Sequence, residues 1–141
     1  MISNNQLRHN RNFGCKKLAD GVALVYNRCM KIVTQNITAD ELKQMAATFG
    51  NMVKAVIDID REILALDAEL HSDLEALLLE DGSKQKNLWG INIYPEMQGD
   101  GFIEFDSMIN MRPSRGNKSR GVEDPEVREK IVSIVSERTG S

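Results

Sequence analysis

The densest chemistry in the chain lies between Arg112 and Gly121. There Arg112, Arg115, Lys118 and Arg120 are interleaved with Ser114, Gly116, Asn117, Ser119 and Gly121. Such a loop can wrap an anion. Guanidinium groups grip phosphate or carboxylate in a two-point fork, and glycine-rich backbone can turn its N–H groups toward negative charge. Arg112, Arg115, Asn117, Lys118 and Arg120 are the residues that would hold the ligand. The loop leads into a helix start, a position that favours anions, although Glu123, Asp124 and Glu126 already place negative charge there. It is not a P-loop, because Gly116-Asn117-Lys118 interrupts the Gly-Lys pair that motif requires. The plainer reading is a solvated loop whose arginines pair with an otherwise acidic chain. Contact with a protein partner is a third reading.

Two further groups have catalytic or ligating potential. Glu69, His71 and Asp73 alternate at the start of a short helix. Alternate side chains can converge on a metal ion, and a histidine between carboxylates can act as a general base. Asp58 and Asp60 stand on the preceding hairpin. The spacing matches no HExxH motif, so the simple alternative is Asp73 facing a helix N-terminus and His71 closing a turn. Glu104, Asp106 and Asn110 share one face of an expected strand, and Asn92 and Tyr94 share a face of the strand before it. If those faces coincide, Glu104, Asp106 or His71 could work with an arginine clamp in a hydrolase-like site. An antiparallel sheet with one wet face gives the same alternation. No Ser-His-Asp order or dinucleotide fingerprint is visible, and no motif implies a cofactor.

These residues need elements to position them. Met30–Val33 suits a short edge strand. Thr38-Ala-Asp-Glu41 is a capping box, in which the hydroxyl takes the Glu41 N–H and the carboxylate reaches back to the Thr38 N–H. Leu42, Met45, Ala46 and Phe49 keep helical spacing, so a helix is expected over 39–49, with Gly50 ending it. Met52–Ile59 and Glu62–Leu66 read as a hairpin turning at Asp60-Arg61. Ser72-Asp-Leu-Glu75 is a second capping box, opening a helix with Leu74, Leu77 and Leu78 inward. Leu88–Tyr94 is a strand with Trp89, Ile91 and Ile93 on its core face, and Phe102–Met111 is a further strand. Asp124-Pro125 starts the last helix, with Val127, Ile131, Ile134 and Val135 as its apolar stripe. The expected fold is α+β in the order α-β-β-α-β-β-α, a four-stranded, mainly antiparallel sheet with the helices packed on one face.

At 141 residues the chain has the length of one domain. Its net charge of −3 argues weakly against a dedicated nucleic-acid binder. Residues 1–29 carry a net +4 and both cysteines, Cys15 and Cys29; the remainder carries −7. Two cysteines make no disulfide framework, and no apolar run approaches a membrane span, so a cytoplasmic location is expected. The domain division is a basic extension over 1–29 and a single α+β domain over 30–141. The extension has three open readings: a disordered basic arm, a start-site artefact with Met30 the true start, or an ordered element using Leu18, Val22, Leu24 and Val25. The change of composition at Met30 favours the second.

Several phrases together resemble a known family: Leu88-Trp-Gly-Ile-Asn-Ile-Tyr-Pro95, Glu104-Phe-Asp-Ser-Met-Ile-Asn-Met-Arg-Pro-Ser-Arg-Gly-Asn117 and Ser119-Arg-Gly-Val-Glu-Asp-Pro125. They are similar to a family of small prokaryotic proteins known only as a domain of unknown function, over roughly Lys31 to Arg138. The resemblance implies no activity and assigns no functional residue. The residues themselves point first to a small binding module that offers the Arg112–Gly121 loop to an anionic partner, nucleic acid or a phosphorylated ligand. A hydrolase-like enzyme is the alternative, and a structural or oligomerising protein without ligand is the third.

Overall fold

The computed structural model describes residues 11–13 and 30–140. Its elements are β1 (Arg11–Phe13), β2 (Met30–Val33), α1 (Ala39–Ala47), β3 (Val53–Asp58), β4 (Ile63–Leu66), α2 (His71–Glu80), β5 (Leu88–Ile93), β6 (Ile103–Glu104) and α3 (Pro125–Thr139). Every neighbouring strand pair is antiparallel, in the order β1-β2-β4-β3-β5-β6. Residues 30–104 thus supply five strands, one more than expected, and Arg11–Phe13 adds a sixth beside β2. The other readings of residues 1–29, including the element expected from Leu18, Val22, Leu24 and Val25, lie outside the described residues.

Local signals account for most of these boundaries. The Thr38 hydroxyl accepts the Glu41 N–H at 3.1 Å and caps α1. The Glu41 carboxylate takes the Thr38 hydroxyl (3.2 Å) and Lys31 Nζ (2.7 Å), rather than the Thr38 N–H. Asp124 caps α3 by accepting the Glu126 N–H at 2.9 Å, with Pro125 at the first helical position. In the β3–β4 turn, Asp58 Oδ1 accepts the N–H groups of both Asp60 and Arg61.

Three expectations are corrected. First, the helices do not share one face. Val33, Val53, Ala55, Ile57, Leu64, Leu66, Trp89, Ile91 and Ile93 pack with α1 and α3 through Leu42, Ala46, Ile131, Ile134 and Val135. The opposite face, with Ile32, Val56, Ile63, Ala65 and Leu88, packs under α2 through Leu74, Leu77 and Leu78. The central strands are apolar on both sides, and an apolar face left in water would forgo about 25 cal/mol per Å². Second, α2 begins at His71 with Leu70 as its N-cap, and no side chain caps it, so the box at Ser72 does not form.

Third, the strand expected over Phe102–Met111 is a strand only at Ile103–Glu104. The chain then turns away, and side chains take over the pairing with β5. Asn110 Oδ1 accepts the Gly90 N–H at 2.8 Å, and its Nδ2 donates to the Gly90 carbonyl at 2.9 Å. One amide therefore makes both bonds that a neighbouring strand would make. Arg112 continues the edge by donating to the Leu88 carbonyl. Among the described residues, no helix is long and apolar enough to cross a membrane.

Candidate functional site

Strand register places Lys54 opposite Asn92, and Asn92 opposite Glu104, so one polar row crosses β3, β5 and β6. In the parallel row through Val56, the β5 residue is Gly90. Its missing side chain is spatially required. A Cβ there would stand 2.5 Å from Ser107 Oγ, 2.6 Å from Ser107 Cβ and 3.1 Å from His71 Cδ2. The first turn of α2 and the 105–107 segment thereby descend onto the sheet on either side of Gly90. The polar row beyond them forms the floor of a cleft of about 410 Å³, lined also by Glu69, Ser72, Asp106 and Arg120.

The cleft floor is well ordered chemically. Asn92, 4 % exposed, donates through Nδ2 to Glu104 Oε1 (2.8 Å) and the Asp106 carbonyl (3.3 Å), while its Oδ1 is buried without a partner. Buried amide oxygens usually have a donor; this one, shielded from solvent, has none from the protein. Tyr94 Oη donates to the same Glu104 oxygen at 3.1 Å. His71 Nε2 lies 2.7 Å from the Ile91 carbonyl. A carbonyl only accepts, so Nε2 carries the proton and Nδ1 presents its lone pair. Burial lowers the His71 pKa from its usual 6.5 and keeps the ring neutral; the Ile91 bond opposes this, Lys54 and Arg120 reinforce it, and Asp106 opposes it.

The lining carries charge of both signs: Lys54, Arg120 and the α2 N-terminus, whose Leu70, His71 and Ser72 line the cleft, bring positive potential, and Glu69, Glu104 and Asp106 bring negative charge. Arg120 Nε binds Asp106 Oδ1 at 2.6 Å, but both side chains are about half exposed. A pair in such contact with water contributes little net stability and can exchange partners.

The basic loop looks different from its sequence. Arg112 is folded inward: it stacks 4.6 Å above the Trp89 ring and donates to the carbonyls of Leu88 and Ile109. Asn117 is buried. Its Nδ2 reaches the carbonyls of Asn110, Ser119 and Gly121, and its Oδ1 accepts the Glu123 N–H. The backbone N–H groups of Lys118 and Ser119 do cradle an anion, but that anion is Glu123, whose carboxyl they hold below its usual 4.5. Arg115 and Lys118 extend from this loop as exposed side chains. Of the five residues expected to bind an anion, only Arg120 reaches the cleft.

The cleft therefore unites Arg120 with the alternative candidates His71, Glu104 and Asp106, and with Glu69 from the suggested metal set. Asp73 is not part of its lining. Glu69, His71 and Asp73 do not form a metal cluster, and among the described residues no three His, Cys, Asp or Glu side chains are arranged to hold an ion. Asp58 is fully buried in the turn it caps. Lys54, Gly90 and Ser107 belong to the site without having been singled out. Chemically, the lining offers carboxylate acceptors at Glu69, Glu104 and Asp106 and positive charge at Lys54 and Arg120, beside the unpartnered Asn92 Oδ1.

No curated protein and no solved structure matches the chain. A family model described as "Protein of unknown function (DUF5674)" matches residues 31–138, a span that includes every residue lining the cleft, and the chain belongs to that family.

Proposed function

We propose that this protein is a small-ligand binding module whose site is the cleft over Lys54, Asn92 and Glu104, and that its ligand carries an anionic group. The observation that carries this reading is the gathering of Lys54, Arg120 and the uncapped start of α2 around one cleft, over the buried, unpartnered Asn92 Oδ1. Among the described residues three buried side-chain atoms lack a partner, Asp58 Oδ2, Trp89 Nε1 and Asn92 Oδ1, and of these residues Asn92 lines the cleft where Arg120, Lys54 and the uncapped start of α2 gather. The anion enters here rather than on the outer loop, because Arg112 and Asn117 are engaged by the fold.

The test is an amide NMR titration of the full chain with ethyl phosphate and with 4-methylpentanoate. Shifts should centre on His71, Asn92, Ser107 and Arg120. Arg120→Ala should weaken binding about tenfold, the value of one charge-assisted hydrogen bond, whereas Arg115→Ala should leave it unchanged. Shifts confined to Arg115–Lys118, or none in the cleft, would overturn the proposal.

A hydrolytic reading keeps one supporting observation, the neutral His71 ring with Nδ1 free to take a proton. It requires turnover of a bound ester or phosphate, with loss of that turnover in His71→Gln.

A further inference from the structure

The cleft is two-sided in its chemistry. On one side stand Lys54, Arg120 and the α2 N-terminus, which suit a negative group. The lining also carries acceptors: the unpartnered Asn92 Oδ1 and the carboxylates of Glu104, Asp106 and Glu69. The Glu104 Oε1 atom already takes two donors, from Asn92 and Tyr94, and this fixes the carboxylate beside Asn92. A purely anionic ligand would satisfy the first side and bring its own lone pairs toward the second. It would leave Asn92 Oδ1 as it is, buried and without a donor, which costs free energy in any bound state.

We infer that the ligand is a small zwitterion, with an acid group toward Lys54 and Arg120 and a protonated amine toward Asn92 and Glu104. This deepens the proposed function and rests on it. An ammonium group carries three donors and no acceptor, and so complements the floor. The rim adds a preference. Leu70 and Met108 are 58 % and 63 % exposed, and Met52 and Ile109 complete an apolar border. A ligand with an aliphatic portion beside its charged ends would cover these side chains.

The acid group can be a carboxylate or a phosphate, and two matched pairs of probes separate them: L-leucine against 4-methylpentanoate, and O-phosphoethanolamine against ethyl phosphate. Within each pair the acid is kept and the amine removed. Calorimetry on the full chain should show at least one zwitterion binding tenfold or more tightly than its matched anion, and the pair that shows it names the acid. Glu104→Gln, an exposed position where the amide oxygen still accepts from Asn92 and Tyr94, should reduce that ratio toward one. Asn92→Leu should do the same if it folds. Equal binding within both pairs would overturn the zwitterion and leave the anion-binding cleft standing. Preference for the zwitterion that survives Glu104→Gln undiminished would also overturn the inference. Absence of binding in all four arms would remove the cleft reading with it.

Discussion

Asn110 stands in for a strand, and changing one of its atoms tests how much that matters. Asn110→Asp keeps the shape of the side chain and the Oδ1 bond from the Gly90 N–H. It replaces Nδ2, which donates at 2.9 Å to the carbonyls of both Gly90 and Arg120, with an oxygen. The site is fully buried. Each donated bond lost at a buried acceptor costs about 1–3 kcal/mol, and an ionised carboxylate there adds its own desolvation. The loss of stability at pH 7 should therefore be about 2–5 kcal/mol. The deficit should also depend on pH in a definite direction. A buried carboxylate facing two carbonyls favours its protonated form, so its folded pKa rises above the unfolded value near ~3.9. The folded variant then binds more protons than its unfolded chain, and its deficit against wild type grows as pH rises through that value and shrinks on acidification. A protonated oxygen can restore one of the two lost bonds. Urea unfolding of both proteins at pH 4.5 and pH 7, with equal slopes as the check on two-state behaviour, gives the comparison. A deficit under about 1 kcal/mol at pH 7 would mean that the amide is not acting as a pairing partner for β5, since a mean hydrogen bond alone is worth that much.

Two further outcomes follow from the same region. Gly90→Ala places a methyl group 2.5 Å from Ser107 Oγ, and Ser107 is buried and tied to the Arg120 carbonyl, so overpacking should cost about 1–3 kcal/mol. Ser107→Gly in the same chain should return a large part of it, and additive single and double variants in urea unfolding would show that the contact is not tight. His71 should titrate below 6.5, so its contribution to stability is complete above pH 6.5 and falls as the pH drops from there through its folded pKa. Glu41 and Glu123 are held below 4.5 by Lys31 and by the Ser119 and Lys118 N–H groups, so their contributions fade only in more acid solution. Imidazole ¹⁵N NMR reads both the pKa and the tautomer: a neutral ring with its proton on Nδ1 would contradict the Ile91 bond, and a pKa above 6.5 would contradict burial as the dominant influence.

The parts of the fold that were legible in the sequence are those whose causes are local. Thr38 and Asp124 cap the helices they were expected to cap, because a short polar side chain before a periodic run meets backbone N–H groups two or three residues away. Trp89, Ile91 and Ile93 lie in the core because alternation in a strand is a property of the backbone alone. Where tertiary contacts decide, the same signals mislead. Ser72 has the sequence of a cap, yet His71 bonds the Ile91 carbonyl and the cap falls two residues earlier, at Leu70. Val56, Ile63 and Ala65 make the second face of the sheet apolar, but a short apolar strand does not state how many layers cover it.

The site itself was half legible, for a reason that applies to many polar loops. His71, Glu104, Asp106 and Arg120 were noticed because their side chains can do chemistry in any setting. Arg112 and Asn117 were noticed for the same reason, and the fold spends both on its own carbonyls. Nothing in residue type separates an arginine that meets a ligand from one that meets the Leu88 carbonyl. The difference lies in β5 needing partners after β6 stops at Glu104, and that need arises only once the chain has turned away. Gly90 carries the complementary lesson. Between Trp89 and Ile91 it reads as a weak point in a strand, but it is the vacancy into which Ser107 and His71 fit, and through them the wall of the cleft. The surface to test is therefore set less by where charge is densest in the sequence than by which polar atoms the fold leaves unpaired, and Asn92 Oδ1 is such an atom.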